Sequence, residues 1–179
     1  AVSRVEVMTC VDGDETGTRY VIEGGNEISL DDVGSPVGTT IIVKDLFYNI
    51  PARMKFLKKD VQEGNHIASL LERIAVSNPH ISFRFIRDGK IAFQTPGDGN
   101  LKSAIYAVFG KEFTGGLLPV NDEHYGITVD GFITKPTAGR GNRTMQTFFV
   151  NGRYVKSVLL LSALEQAYKN SIMVGKYPA

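Results

Sequence analysis

The stretch Gly38–Leu57, GTTIIVKDLFYNIPARMKFL, decides the fold, because a turn glycine, a strand, a bend and a helix start follow one another within it. Thr40, Ile41, Ile42 and Val43 are all β-branched and read as a buried strand, with Phe47 and Tyr48 anchoring its end in the core. Asn49 suits a helix cap, and Pro51 stands where a first helical turn has no use for an N–H. Met54, Leu57 and Val61 then fall at i, i+3 and i+7. They form one apolar stripe on a short basic helix that also carries Arg53, Lys55, Lys58 and Lys59.

Upstream, Val5, Val7 and Val11 alternate as in a strand. Asp12-Gly13 and Thr16-Gly17 mark a turn, and TRYVIEGG returns as its hairpin partner. The acidic run from Asn26 to Val37 reads as a loop. Downstream, Gly64 breaks the first helix and Asn65 caps a second, whose Ile67, Leu70, Leu71 and Ile74 make an apolar face; Asn78-Pro79 stops it. Ile81, Phe83 and Phe85 lead through an Asp88-Gly89 turn to Ile91 and Phe93, a hairpin. Leu101, Ala104, Ile105 and Val108 form a helix closed by Gly110. Leu117–Val120 and Ile127–Ile133 read as strands joined by a polar turn from Asn121 to Tyr125. The glycine-rich, basic run KPTAGRGNRT precedes a strand MQTFFV, a turn at Asn151-Gly152, and a helix capped by Ser157 with Leu160, Leu161, Leu164 and Tyr168 on its buried face. Strands and helices in this order predict an α+β protein with mixed sheets and packed helices.

At 179 residues, 42% hydrophobic and 22% charged, the chain has the means to bury an ordinary core as one large or two small domains. A single cysteine, Cys10, excludes an internal disulfide, and His66, His80 and His124 lack metal-ligand spacing. No apolar run is long enough for a membrane span. An intracellular, cytoplasmic protein that uses no metal site of its own is the expectation.

The net charge of +1 conceals a split. Residues 1–50 hold three Lys/Arg against nine Asp/Glu, and the remainder holds 17 against 10. The sign changes near Pro51, as expected when two parts of a chain face different partners, or when solvated surface charge varies by chance.

Gly38–Leu57 resembles the MutL family of DNA mismatch repair proteins, in which a Gly-Thr pair, a Leu-Phe-Tyr/Phe-Asn bend and a Pro-Ala-Arg-x-Lys-Phe-Leu helix start occur together. FFVNGRYV, Phe148–Val155, resembles a second motif of that family, a strand ending in Val-Asn-Gly-Arg before a long helix. The resemblance implies residues 1–50 as the tail of a GHKL-type ATPase domain and residues 51–179 as most of a transducer domain with a left-handed βαβ crossover. It implies a piece of a longer protein, one that uses ATP and magnesium to close and dimerise, binds double-stranded DNA and answers to a MutS-type mismatch sensor, at the bacterial nucleoid. Gly38 and Thr39 would be the nucleotide-side contribution, or a glycine at a strand entry with a threonine pairing locally. The ATP lid, the magnesium-holding asparagine and the lysine that reaches the γ-phosphate are not in this sequence. ATPase activity from this chain alone is therefore not expected, nor a bound cofactor. The rival readings are the matching region of a type II topoisomerase and a stand-alone nucleic-acid-binding module.

From Gly131 to Leu164 there is no acidic residue, while Lys135, Arg140, Arg143, Arg153 and Lys156 are basic. A flexible loop with two arginines beside a strand end with another has the chemistry of a phosphate-contacting edge without base readout. The transducer groove binds DNA in the family that the motifs resemble. The competing reading is solvated surface. Arg53 and Lys55 read as local structural groups at the bend, Cys10 as a small core residue and His66 as a partly buried helix residue. No catalytic constellation is evident: nucleophile elbow, HExxH, paired CxxC and carboxylate dyad are all missing.

Overall fold

The computed structural model describes all of residues 1–179. The chain is α+β and divides into two compact units, Ala1–Glu63 and Gly64–Ala179.

The first unit is built on a four-stranded antiparallel sheet of β1 (Arg4–Cys10), β2 (Gly17–Glu23), β3 (Asn26–Val33) and β4 (Gly38–Lys44), in the order β3-β2-β1-β4. The acidic run expected to be a loop is thus an edge strand. Its alternating Ile28 and Leu30 keep the pleat, and Glu27, Asp31 and Asp32 keep the edge charged, a common guard against edge-to-edge pairing. Gly24 and Gly25, at φ 58° and 100°, make the tight turn that admits it. Register places Val7 opposite both Tyr20 and Ile41, and Tyr20 opposite Leu30, so the apolar side chains share one face. That face is open: Ile41 is 64% exposed and Leu30 62%, which corrects the expectation that β4 is buried. Its β-branched run does form the strand, but β4 is the other edge.

After β4 the chain turns through Asp45 and Phe47, both at positive φ (53° and 64°), closed by Tyr48 N–H to Asp45 O and Ile50 N–H to Phe47 O. Asn49 does not cap the helix; its Nδ2 donates to Ala1 O at 3.0 Å, and Ile50 holds the cap position of α1 (Pro51–Met54). Helix α1 is a single turn, so the Met54/Leu57/Val61 stripe is interrupted before α2 (Asp60–Ser77) begins. Glu63 restarts the helix by accepting from the Lys58 N–H at 2.9 Å, near the positive helix end.

Helix α2 continues through Gly64 into the second unit. A Cβ at this helical glycine would sit 2.8 Å from the Arg87 guanidinium, which lies against the helix there and donates to Asn65 Oδ1 at 2.8 Å. The helix buries Ala75 and Val76, while Ile67 and Leu70, expected on the packed face, are more than half exposed, and His66 is exposed as well.

The rest of this unit is three antiparallel hairpins and two helices. Strands β5 (Arg84–Arg87) and β6 (Lys90–Gln94) turn at Asp88-Gly89, and β9 (Phe148–Val150) and β10 (Arg153–Val155) at Asn151-Gly152. Both turns have φ positive at both central residues, the geometry that matches strand twist. Strands β7 (Leu117–His124) and β8 (Ile127–Thr134) run through the expected polar turn and reverse at Tyr125-Gly126 instead. All ladders are antiparallel; the left-handed βαβ crossover is not present as a parallel strand pair.

Helix α3 (Leu101–Gly115) is capped by Asn100 Oδ1 and kinks at Gly110, φ 81° and ψ 176°. Helix α4 (Val158–Ala167) is capped by Ser157 Oγ. The core joins Val76, Ile105, Phe113 and Leu117, with Phe132, Met145 and Phe149 packed against them. No helix is long and apolar enough to cross a membrane.

Candidate nucleotide rim and basic edge

Gly38 opens β4 opposite Cys10, with φ 120°. That value suffices to select glycine, and a Cβ there would meet nothing within 4 Å, so the backbone is open to close approach. Thr39 stands opposite Thr9, and their hydroxyls share a hydrogen bond of 2.9 Å. Both Gly38 and Thr39 are exposed. Two hydroxyls and a free backbone suit the rim of a nucleotide pocket; no cation of the kind that grips phosphates joins them in a hydrogen bond.

The five basic residues of the acid-free run all lie in the second unit and divide into two groups. Arg140 and Arg143 belong to a loop that is pinned rather than flexible. Arg140 exchanges backbone N–H···O bonds of 2.8 Å with Tyr177, rests its guanidinium on Phe113 and reaches Glu112 at 3.6 Å. Arg143 donates from Nε to Glu165 Oε1 at 2.5 Å and from Nη2 to Oε2 at 3.0 Å, and lies 4.2 Å from the Tyr177 ring centroid. Between them Asn142 Oδ1 accepts from the Thr144 N–H and hydroxyl, an Asx-type turn.

Residues 178 and 179 pack under the same hydrogen-bond network as the loop. Gln146, buried, donates to Pro178 O, and Ala179 pairs with Thr134 through both its N–H and its carbonyl. The Arg143 hydrogen bonds hold the Glu165 carboxyl below its usual range, and Gln146 adds to the effect; the same contact raises Arg143.

Lys135, Arg153 and Lys156 form the second group. All three are exposed, and their side chains make no ion pair or hydrogen bond. Lys135 precedes a 3₁₀ turn (Pro136–Ala138), Arg153 opens β10, and Lys156 lies just before the α4 cap. Glu165, Gln146 and Tyr177 escaped sequence reading. Glu165 is the first carboxylate after the acid-free run, a signal that was present but unused.

Residues 105–179 match the family model described as DNA mismatch repair protein, C-terminal domain. The DNA mismatch repair protein MutL of Agathobacter rectalis is 51% identical over 178 residues, 99% of this chain and 28% of the relative. The Clostridium tetani MutL is 39% identical over the same length, 29% of that relative. The chain belongs to the MutL family. It spans under a third of the length of these relatives. A solved structure of the Aquifex aeolicus MutL ATPase domain complexed with ADP has a TM-score of 0.79 at 28% identity, covering 92% of this chain and 63% of that one. Identity along nearly the whole chain favours mismatch repair over the topoisomerase region and the stand-alone module.

Proposed function

We propose that this chain is the part of a MutL-type mismatch-repair protein in which the tail of a GHKL ATPase domain, residues 1–50, passes into a transducer domain, residues 51–179. The observation that carries the reading is identity with MutL relatives over 178 residues. The longer protein binds ATP with magnesium, dimerises, works with a MutS-type sensor in the cytoplasm at the nucleoid, and couples nucleotide state to its grip on double-stranded DNA. Gly38 and Thr39 contribute at the nucleotide rim; the similar Aquifex aeolicus ATPase domain is complexed with ADP, which supports nucleotide binding by the longer protein. ATP would supply the phosphoryl group whose hydrolysis resets the clamp, and this chain's own part is to carry the rim and to bind DNA.

Lys135, Arg140, Arg143, Arg153 and Lys156 form the DNA edge. The support is a run of 34 residues, from Gly131 to Leu164, without a carboxylate, and three cationic heads in it with no partner. Such an edge binds phosphates without reading bases, so affinity falls with salt with a slope of about −0.9 per phosphate neutralised. Duplex binding by this chain across a salt series tests it, beside a variant with Lys135, Arg153 and Lys156 changed to glutamate. Steep salt dependence that the variant loses is expected. Equal binding by the variant, or none by the unmodified chain at low salt, overturns the assignment.

A further inference from the structure

Arg143 differs from the other basic residues in being both held and available. Its two bonds to Glu165 come side-on, from Nε and Nη2, so they use two of the five guanidinium donors. The Tyr177 ring covers one face of the guanidinium at 4.2 Å, and Tyr177 is itself fixed by its backbone exchange with Arg140. What remains is the outer end, Nη1 with the second N–H of Nη2. No partner meets it, and the side chain is 53% exposed. An end-on fork of this kind matches two phosphate oxygens. Arg140 offers no equivalent, since its Nε is buried without a partner and its guanidinium is spent on Phe113 and Glu112.

We infer that Glu165 and Tyr177 are positioning residues that hold Arg143 end-on for a DNA phosphate. The inference rests on the DNA reading above and goes beyond it by giving an acidic residue a favourable part in binding an anion. Simple charge counting says the opposite, that removing Glu165 should tighten binding. Two effects compete. Repulsion between Glu165 and a phosphate acts across solvent and is screened. Losing Glu165 frees a long side chain, whose ordering must then be supplied by the DNA contact itself. The ordering effect wins if the clasp is as well formed as its two bonds and stacked ring indicate.

The test is duplex DNA binding by the 179-residue chain, using a labelled duplex over a salt series, with thermal melts to confirm folding. Glu165→Gln is expected to weaken binding roughly two- to tenfold, the factor for one immobilised side chain. Tyr177→Leu, which leaves Glu165 in place, weakens it similarly. Glu112→Gln, which removes a 94%-exposed carboxylate beside Arg140, leaves binding equal or tighter. In an Arg143→Gln background Glu165→Gln has no further effect, because its influence passes through Arg143. Tighter binding by Glu165→Gln overturns the inference, as does equal weakening with and without Arg143. If the unmodified chain binds but Arg143→Gln binds equally well, this inference alone fails. If the unmodified chain does not bind, the DNA reading fails first.

Discussion

The Tyr168 hydroxyl donates a hydrogen bond to the carbonyl oxygen of Thr134, joining the end of α4 to the end of β8 across 34 residues of sequence. Both residues are buried, Tyr168 at 6% exposure and Thr134 at 1%. Thr134 also accepts from the Ala179 N–H at its hydroxyl and donates its own N–H to Ala179 O. One threonine therefore ties α4, β8 and Ala179 together.

Tyr168→Phe removes the donor and leaves a buried carbonyl, so it is expected to destabilise the chain by about 1–2 kcal/mol in urea unfolding. Burial raises the Tyr168 hydroxyl above its usual value. A group raised in the folded state contributes stability that is fully present below its unfolded value and is lost as pH climbs through the folded one. The unmodified chain should therefore lose stability as pH rises past about 10. Tyr168→Phe should lose less over that window; an identical alkaline slope in both would exclude Tyr168 as the cause.

Thr95 is 1% exposed and serves as a second buried tie. Its hydroxyl accepts from Phe83 N–H at 2.9 Å and donates to Ile81 O at 3.2 Å, while Ser82 Oγ donates to its carbonyl. Thr95→Val keeps the shape and strands two backbone groups. A loss of about 1–3 kcal/mol is expected. Ser82→Ala, which removes a hydroxyl at an exposed residue and takes one donor from the Thr95 carbonyl, should cost less than half as much in the same denaturant series.

Gly110 and Gly115 separate two roles of glycine in α3. A Cβ would meet nothing within 4 Å at either, so sterics with neighbours do not distinguish them. Gly110 has φ 81° and ψ 176°, a region that alanine enters only under strain, whereas Gly115 is an ordinary residue of the last turn. Gly110→Ala is expected to cost about 1–3 kcal/mol, and Gly115→Ala to be neutral or to stabilise by up to about 1 kcal/mol. If both substitutions lower the melting temperature equally, the kink is not held by its backbone conformation.

What the sequence made legible was local. Asp88-Gly89 and Asn151-Gly152 announce their hairpins because the turn itself demands positive φ, and Ser157 announces α4 because the cap bond spans three residues. Gly110 was readable as a break, though not as a kink with helix on both sides. The misreadings were all matters of distant neighbours. Gly64 looks like a helix breaker until Arg87 arrives across it; Asn49 looks like a cap until Ala1 claims its amide. Arg140 and Arg143 look like mobile cations until Glu112, Glu165 and Tyr177 are placed against them. Acidic β3 reads as a loop because charge at an edge strand protects the sheet without marking it.

The same distinction between pattern and partner governs the first sheet. Ile41, Ile42 and Val43 have the residue types of a buried strand, yet Ile41 and Val43 are 64% and 57% exposed on the face shared with Val7, Tyr20 and Leu30. Little area would return to water if they became polar. The double change Ile41→Thr and Val43→Thr keeps the β-branched shape and the ladder, so its cost should stay within about 0.5 kcal/mol per site. It should also raise the concentration at which the chain stays monomeric, since an apolar sheet face left open favours self-association. Denaturant unfolding and light scattering read the two effects independently. A loss of several kcal/mol would mean that this face is covered in solution, and would make the open sheet the wrong description of the first unit.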